Sequence, residues 1–170
     1  DGRVSPNLAD YERPLCFAAI DAGADIIIGH HHHLLKGVEV YKGKPIFHGL
    51  GNYVTVTYAM TAGHNDSPEM LKYLKLRATE GRGDGHYPTP YYPWDKVSLN
   101  TMIAKVSVSR DGVIDFGFIP ALLDDKAVVH IKHRNNGGED VLDFVKKQTV
   151  GAKLGTNFEW SDDGSWVRFW

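Results

Sequence analysis

The chain has 170 residues, of which 42% are hydrophobic and 24% charged, and its formal net charge at pH 7 is −2. This composition is ordinary for one globular domain with a sizeable core, so we expect a single domain over residues 1–170. The charge provides no basic surface, which argues against nucleic acid as a partner, and the single Cys16 excludes an internal disulfide.

A helix followed by a strand is predicted near the start of the chain. Apolar residues at helical spacing predict a helix over residues 8–22, which either kinks at Pro14 or begins there. Gly23 is expected to cap its carboxyl end. The apolar run of residues 24–28 then predicts a short strand buried on both faces.

Four consecutive histidines, residues 30–33, follow this strand. Neutral imidazole is the commonest protein ligand for zinc, iron, manganese and nickel. Open α/β sheets place their ligand crevices at the carboxyl ends of strands. Two histidines separated by one residue can converge on one metal ion or reach two neighbouring ions, so the cluster is a candidate metal site.

Three β-hairpins are predicted from alternating apolar residues around short turns. They cover residues 35–47 with the turn at 42–44, residues 102–118 with the turn at 110–112, and residues 158–170. A short strand is also expected over residues 127–131, and an amphipathic helix over residues 141–150. These elements make up most of the second half of the chain.

The middle of the chain is less regular. Ser67, Pro68 and Glu69 predict the start of a helix. Residues 80–94, rich in glycine and then in proline and aromatic residues, predict a long loop. Such a loop is a substrate-facing flap, a subunit contact or a plain surface insertion.

Two segments of the chain carry a specific resemblance to a known family. Residues 20–29 read Ile-Asp-Ala-Gly-Ala-Asp-Ile-Ile-Ile-Gly and precede His31-His32-His33, and residues 39–47 read Glu-Val-Tyr-Lys-Gly-Lys-Pro-Ile-Phe and precede Leu50-Gly51-Asn52-Tyr53. They resemble, nearly without gaps, the bacterial CapA family of capsule and poly-γ-glutamate synthesis proteins. The domain of that family is similar to the calcineurin-type metallophosphoesterase fold.

The resemblance implies an α/β (α+β) fold, namely the C-terminal part of a two-layer β-sandwich flanked by helices. It places the family's other metal-binding elements upstream of Asp1. We therefore expect the chain to be the C-terminal portion of a larger domain of this type.

The resemblance also implies a metal site. The family's His-x-His pair falls on His31 and His33, which would be ligands for divalent Mn, Fe or Zn in a centre that is dinuclear in the complete protein. The sequence departs from the family at His32, where proline is frequent, and at His48, where the family has an aromatic residue. We expect His30 and His32 to point away from the pair, because alternate side chains diverge.

Four residues are candidate catalytic groups. Glu39 matches a family glutamate and is suited to orient an imidazole, with an exposed strand carboxylate as the alternative. Asn52 either approaches substrate or binds a loop. His30 and His48 are additional to the family pattern and would suit a general base.

The resemblance implies a metal-dependent hydrolase that acts on a phosphoester or on an amide-linked polymer such as poly-γ-glutamate. Two alternatives are a non-catalytic factor that binds polymer during capsule assembly and a metal-site enzyme that modifies peptides, such as an epimerase. The expected ligand is a polymer or a small-molecule substrate. The expected protein partner is the N-terminal half of the same fold or another chain, and an oligomer is possible. The family suggests the cell envelope, although these residues contain neither a signal peptide nor an apolar run of membrane length.

Overall fold

The computed structural model describes residues 7–54, 67–69, 72, 96–124 and 126–170. Within these residues the chain forms a mixed α/β fold with two sheets and two helices, which confirms the predicted class. The predicted loop of residues 80–94 lies outside the described residues. So does most of the helix predicted from Ser67.

Among the described residues, one helix is followed by six strands, a second helix and two further strands. In chain order they are α1 (Glu12–Asp21), β1 (Ile27–Ile28), β2 (Val38–Tyr41), β3 (Lys44–Phe47), β4 (Asn100–Ser109), β5 (Gly112–Leu123), β6 (Val129–Ile131), α2 (Gly138–Gly151), β7 (Phe158–Trp160) and β8 (Val167–Phe169). In the described part, no helix has the length and apolar character needed to cross a membrane.

Helix α1 begins between the two starts that the sequence predicts, residue 8 and Pro14. It starts at Glu12, and Pro14 lies in its first turn, where the missing N–H removes no bond within the helix. At the other end Gly23 adopts a φ of +111° and its N–H donates to the carbonyl of Ile20, which confirms the predicted cap.

Much of the apolar surface of α1 and β1 is exposed. Tyr11 and Leu15 are 69% and 64% exposed, and only Ile20 is buried among the residues of α1. In β1, Ile28 is 51% exposed, so the prediction of a strand buried on both faces is wrong for the described part of the chain. The reason is that, among the described residues, β1 pairs on one side only, with β3.

The first sheet has the order β1-β3-β2 and contains the first predicted hairpin. β1 runs parallel to β3, with Ile27 opposite Ile46, whereas β2 and β3 are antiparallel. Lys42 and Gly43 join them with φ values of 52° and 75°. A two-residue turn with both φ values positive matches the right-handed twist of the strands.

The second sheet has the order β4-β5-β8-β7, with β6 also paired to β5. β4 and β5 form the long hairpin that the sequence predicts, from Asn100 opposite Leu122 to the turn before Gly112, with a register shift between Ser107 and Val108. β7 and β8 form the predicted terminal hairpin, which joins the sheet through β5.

Both sheets and α2 share one hydrophobic core. Its buried members are Leu35, Val38 and Phe47 from the first sheet and the segment just before β2, Met102, Phe118, Val167 and Phe169 from the second sheet, and Val141, Leu142 and Val145 from α2. The rings of Phe47 and Phe169 meet edge to face with centroids 5.3 Å apart. Phe47 thus anchors the end of β3 in the hydrophobic core.

Candidate functional site

The histidine loop leaves the first sheet at Gly29. The Gly29 N–H donates to the carbonyl oxygen of Phe47 at 2.6 Å. A Cβ at Gly29 would overlap the carbonyl group of His48, so a side chain does not fit here without a backbone shift. This close approach places residues 30–32 beside His48 at the end of β3.

His31 and His33 have an unusual backbone. Their φ values are +89° and +53°, whereas His30 and His32 are not in this region. Left-handed conformations are uncommon for residues other than glycine and are often found at functional sites, where the surrounding structure holds them. The two histidines predicted to ligate metal are therefore the two that the loop holds in this conformation.

Asn52, just beyond β3, fixes the ring and the backbone of His33. Its Oδ1 lies 2.7 Å from His33 Nδ1, and its Nδ2 donates to the His33 carbonyl oxygen at 3.2 Å. Asn52 is buried. Because Nδ2 is the donating atom of the amide, Oδ1 accepts, and His33 carries its hydrogen on Nδ1. In that tautomer Nε2 carries the lone pair.

Glu39 forms the centre of a second arrangement, between α1 and the β2–β3 hairpin. Its Oε1 lies 2.8 Å from His48 Nε2. From α1, Arg13 donates Nε to Oε1 at 3.0 Å and Nη2 to Oε2 at 2.6 Å. Glu39 and His48 are both buried, so the alternative of an exposed strand carboxylate is wrong.

The partners of Glu39 keep it ionised. Burial by itself would raise the pKa of this carboxyl, but hydrogen bonds from His48 and Arg13, together with the charges of both, hold the pKa below its ordinary 4.5. An ionised carboxylate only accepts hydrogen bonds, so His48 donates through Nε2. In the neutral imidazole, the lone pair is then on Nδ1.

A cleft of about 310 Å³ lies between α1 and the histidine loop. The residues that matter for its chemistry are His30, His31, His32 and His48, with the apolar Leu15 and Ile27 beside them. His33 and Asn52 do not line it. The structure thus brings His30 and His32 to the same cleft as His31, instead of turning them away from it as the alternation predicted.

His32 and Cys16 both line this cleft, together with Glu12. His32 Nε2 lies 3.4 Å from the Glu12 carboxylate, and its Nδ1 is buried with no hydrogen-bond partner among the described residues. Burial lowers the pKa of His32 against the opposing charge of Glu12. Burial, with the charges of Glu39 and Glu12, raises the pKa of Cys16, which favours the unreactive thiol.

The described residues do not contain a complete metal centre. No group of three or more His, Cys, Asp or Glu side chains within them could hold a metal ion. The sequence predicts that this chain contributes two metal ligands, His31 and His33, and their metal binding stays a prediction.

Arg13 is the residue of the site that sequence reasoning missed. It lies 26 positions from Glu39, so no local pattern connects the two. One signal was present: a cation in the first turn of a helix opposes the helix dipole, which suggests a specific anionic partner.

The chain is similar to bacterial proteins of capsule synthesis. Residues 4–57 match the family described as bacterial capsule synthesis protein PGA_cap. The chain is 58% identical over 130 residues to the PGA biosynthesis protein CapA of Bacillus subtilis (strain 168), covering 73% of this chain and 32% of that protein. It is 48% identical over 159 residues to the capsule biosynthesis protein CapA of Bacillus anthracis, covering 87% and 33%.

A more distant similarity extends to a probable polyglutamine synthesis accessory protein of Mycobacterium tuberculosis (strain ATCC 25618 / H37Rv). It is 39% identical over 61 residues, which cover 36% of this chain and 16% of that protein. The chain spans about a third of the length of the two Bacillus relatives that it matches.

Proposed function

Because the chain belongs to the bacterial CapA family of capsule and poly-γ-glutamate synthesis proteins, we propose that the complete protein is a metal-dependent hydrolase of capsule polymer metabolism. The chain would contribute His31 and His33 to its metal centre. The substrate would be a phosphoester or an amide-linked polymer such as poly-γ-glutamate.

The observation that carries the proposal is the way Asn52 holds His33. Histidines that ligate metal almost always donate their other ring N–H to a fixed acceptor, which sets the tautomer and orients the ring. His33 donates Nδ1–H to the buried Asn52 Oδ1 at 2.7 Å. A second hydrogen bond from the same amide holds the left-handed backbone of His33.

The donor set fits a divalent transition metal. Imidazole nitrogen suits zinc and iron and is also found on manganese. A metal bound there would polarise the scissile carbonyl or phosphoryl group. His31 and His33 would hold it, with further ligands from the rest of the complete protein, because two imidazoles alone leave an ion mostly hydrated.

The exposed apolar side of α1 and β1 supports the proposal that another part of the complete protein packs against this chain. Tyr11, Leu15 and Ile28 are each more than half exposed. Apolar residues exposed side by side are candidates for contact with another protein surface. The N-terminal half of the same fold, or another chain that carries it, would cover this surface.

The test uses the complete protein. Metal content would be measured for the wild type and for H31Q, H33Q and H30Q, and turnover of p-nitrophenyl phosphate and of a γ-glutamyl peptide would be followed with Mn²⁺, Fe²⁺ or Zn²⁺. H31Q and H33Q should lose bound metal and turnover, whereas H30Q should keep its metal because the resemblance assigns the ligand pair to His31 and His33 and not to His30. Turnover that survives chelation, or equal metal loss in H30Q, would overturn the proposal.

A further inference from the structure

We propose that His48 is the proton-transfer residue of the cleft, with Glu39 and Arg13 as the positioning residues that fix its tautomer, and that the group it serves is the leaving nitrogen of an amide. This inference rests on the proposed hydrolase function and specifies the substrate class. It concerns residues separate from the predicted metal ligands.

The position of His48 supports the inference. Its side chain is 1% exposed, and the residue lines the cleft that residues 30–32 also line. Nε2 lies against Glu39 at 2.8 Å. In the neutral ring the lone pair is then on Nδ1, and this is the nitrogen to which we assign the proton transfer. Leu15, Ile27 and Phe47 make the surroundings apolar, which strengthens a hydrogen bond made there.

Arg13 and Glu39 form the support behind the imidazole. Arg13 engages both carboxylate oxygens of Glu39, so the carboxylate cannot rotate away from His48 without losing a charge-assisted hydrogen bond. The Arg13–Glu39 pair already satisfies both carboxylate oxygens. His48 adds a further hydrogen bond to Oε1, so the carboxylate that Arg13 holds also orients the imidazole.

Other ionisable groups also face this position. His30, His31 and His32 from the loop and Glu12 and Cys16 from α1 line the same cleft, with Glu39 and Arg13 behind the ring. The pH dependence of kcat therefore reflects the protonation of all these groups together. The assignment to His48 must come from variants and not from a pH profile alone.

The proposed step is a balanced hydrolysis. His48 Nδ1 takes a proton from water as the water oxygen bonds to the amide carbonyl carbon. As the C–N bond breaks, the imidazolium returns that proton to the leaving nitrogen, giving a carboxyl group and an amine. An unactivated amine cannot leave as an anion, so it depends on this proton. A nitrophenolate leaves without one.

The difference between leaving groups provides the test. In the complete protein, the kcat of H48Q and H48A would be measured on a γ-glutamyl oligomer, whose amides are unactivated, and on p-nitrophenyl phosphate. We expect a loss of about 10²-fold or more on the oligomer, which needs both proton transfers, and a smaller loss on p-nitrophenyl phosphate, which needs only the removal of the proton from water. Metal content should match the wild type, and added imidazole should restore part of the kcat of H48A.

The positioning residues have their own readouts. E39Q should lower kcat on the oligomer and shift its pH profile, and E39D should recover part of both. R13K should have a smaller effect of the same kind. In the wild type, ¹⁵N NMR of the histidine rings should show hydrogen on Nε2 and none on Nδ1 of His48, and this measurement does not depend on any variant folding.

Each outcome bears on a different statement. Wild-type kcat of H48Q on the oligomer, equal losses on both substrates, or a hydrogen on Nδ1 would overturn the role of His48 while the proposed function stands. Absence of metal-dependent turnover on either substrate in the wild type would overturn the proposed function, and this inference with it.

Discussion

The Nδ1 atom of His33 lies 2.7 Å from the Oδ1 atom of Asn52, although 19 residues separate them along the chain. Asn52 also donates to the His33 carbonyl oxygen, so one buried side chain fixes both the ring and a backbone with φ of +53°. The end of the β2–β3 hairpin thereby sets the geometry of the histidine loop. A change at Asn52 should therefore act through His33.

The first prediction concerns Asn52→Leu in the complete protein. Leucine has a similar size but can neither accept from the ring nor donate to the backbone, so affinity for added Zn²⁺ should fall by about 10–100-fold. N52D is the matched control, because it keeps an acceptor at the same place and should lose less. Metal competition titrations measure both, and equal affinity in N52L and the wild type would contradict the prediction.

The second prediction is a pH dependence of stability from Glu39. Hydrogen bonds from His48 and Arg13 outweigh burial and hold its pKa below 4.5 in the folded protein. The unfolded state then binds more protons near this pH. The stabilising contribution is therefore fully present above about pH 4.5 and is lost as pH falls through the lowered pKa.

Glu39→Gln should accordingly be less stable than the wild type at pH 7, by about 1–3 kcal/mol, because it removes a charged acceptor from a buried position. The difference should shrink as pH falls below 4.5. Urea unfolding of both proteins from pH 3 to pH 7 measures it. A difference that stays constant over this range would show that the carboxylate charge is not the cause.

Local sequence signals predicted the local geometry of this region well. Gly23 caps α1 as expected, and the Lys42-Gly43 turn sets the register of β2 and β3. Both depend on backbone conformations that a few adjacent residues determine. The same holds for the hairpin of β4 and β5, whose alternation places one face of the sheet on the core.

Contacts distant in sequence were less predictable. The resemblance assigned Glu39 an orienting role, but the identity of its partners, Arg13 and His48, depends on how α1 packs against the hairpin. The exposure of Ile28 was missed for a related reason. An apolar run indicates that a strand can be buried, whereas its burial depends on what lies on the other side.

The third prediction concerns Gly29, where the loop leaves β1. A Cβ there would overlap the His48 carbonyl group and lie 2.9 Å from the Phe47 carbonyl oxygen. Both contacts are backbone atoms of the β3 end, which cannot turn aside as a side chain would. Gly29→Ala should therefore cost about 1–3 kcal/mol of unfolding free energy and displace the histidine loop.

Gly155 provides the control for this prediction. A Cβ at Gly155 would meet no atom within 4 Å, so Gly155→Ala should be neutral or slightly stabilising. Thermal unfolding compares the two variants, and metal content reports on the loop. If G29A were as stable as G155A, the tight exit from the sheet would not be a constraint on the loop.

The last prediction compares two exposed apolar residues on different helices. Leu15 on α1 is 64% exposed and Val150 on α2 is 73% exposed. Leu15 lies on the side that we propose the rest of the complete protein covers, together with Tyr11 and Ile28. Val150 lies in the last turn of α2 and has no such assignment.

Asparagine at either position replaces an apolar surface group with a polar one. Leucine is the better helix former of the two residues replaced, so Leu15→Asn carries an extra local cost of roughly 0.5 kcal/mol. In the complete protein Leu15→Asn should lower the free energy of unfolding by about 1–3 kcal/mol more than Val150→Asn, because burying an unpaired amide carries a penalty that exposure does not. Denaturant unfolding of the two variants gives this difference directly. Equal effects at the two positions would mean that Leu15 is as exposed in the complete protein as Val150, and the proposed cover over α1 and β1 would be wrong.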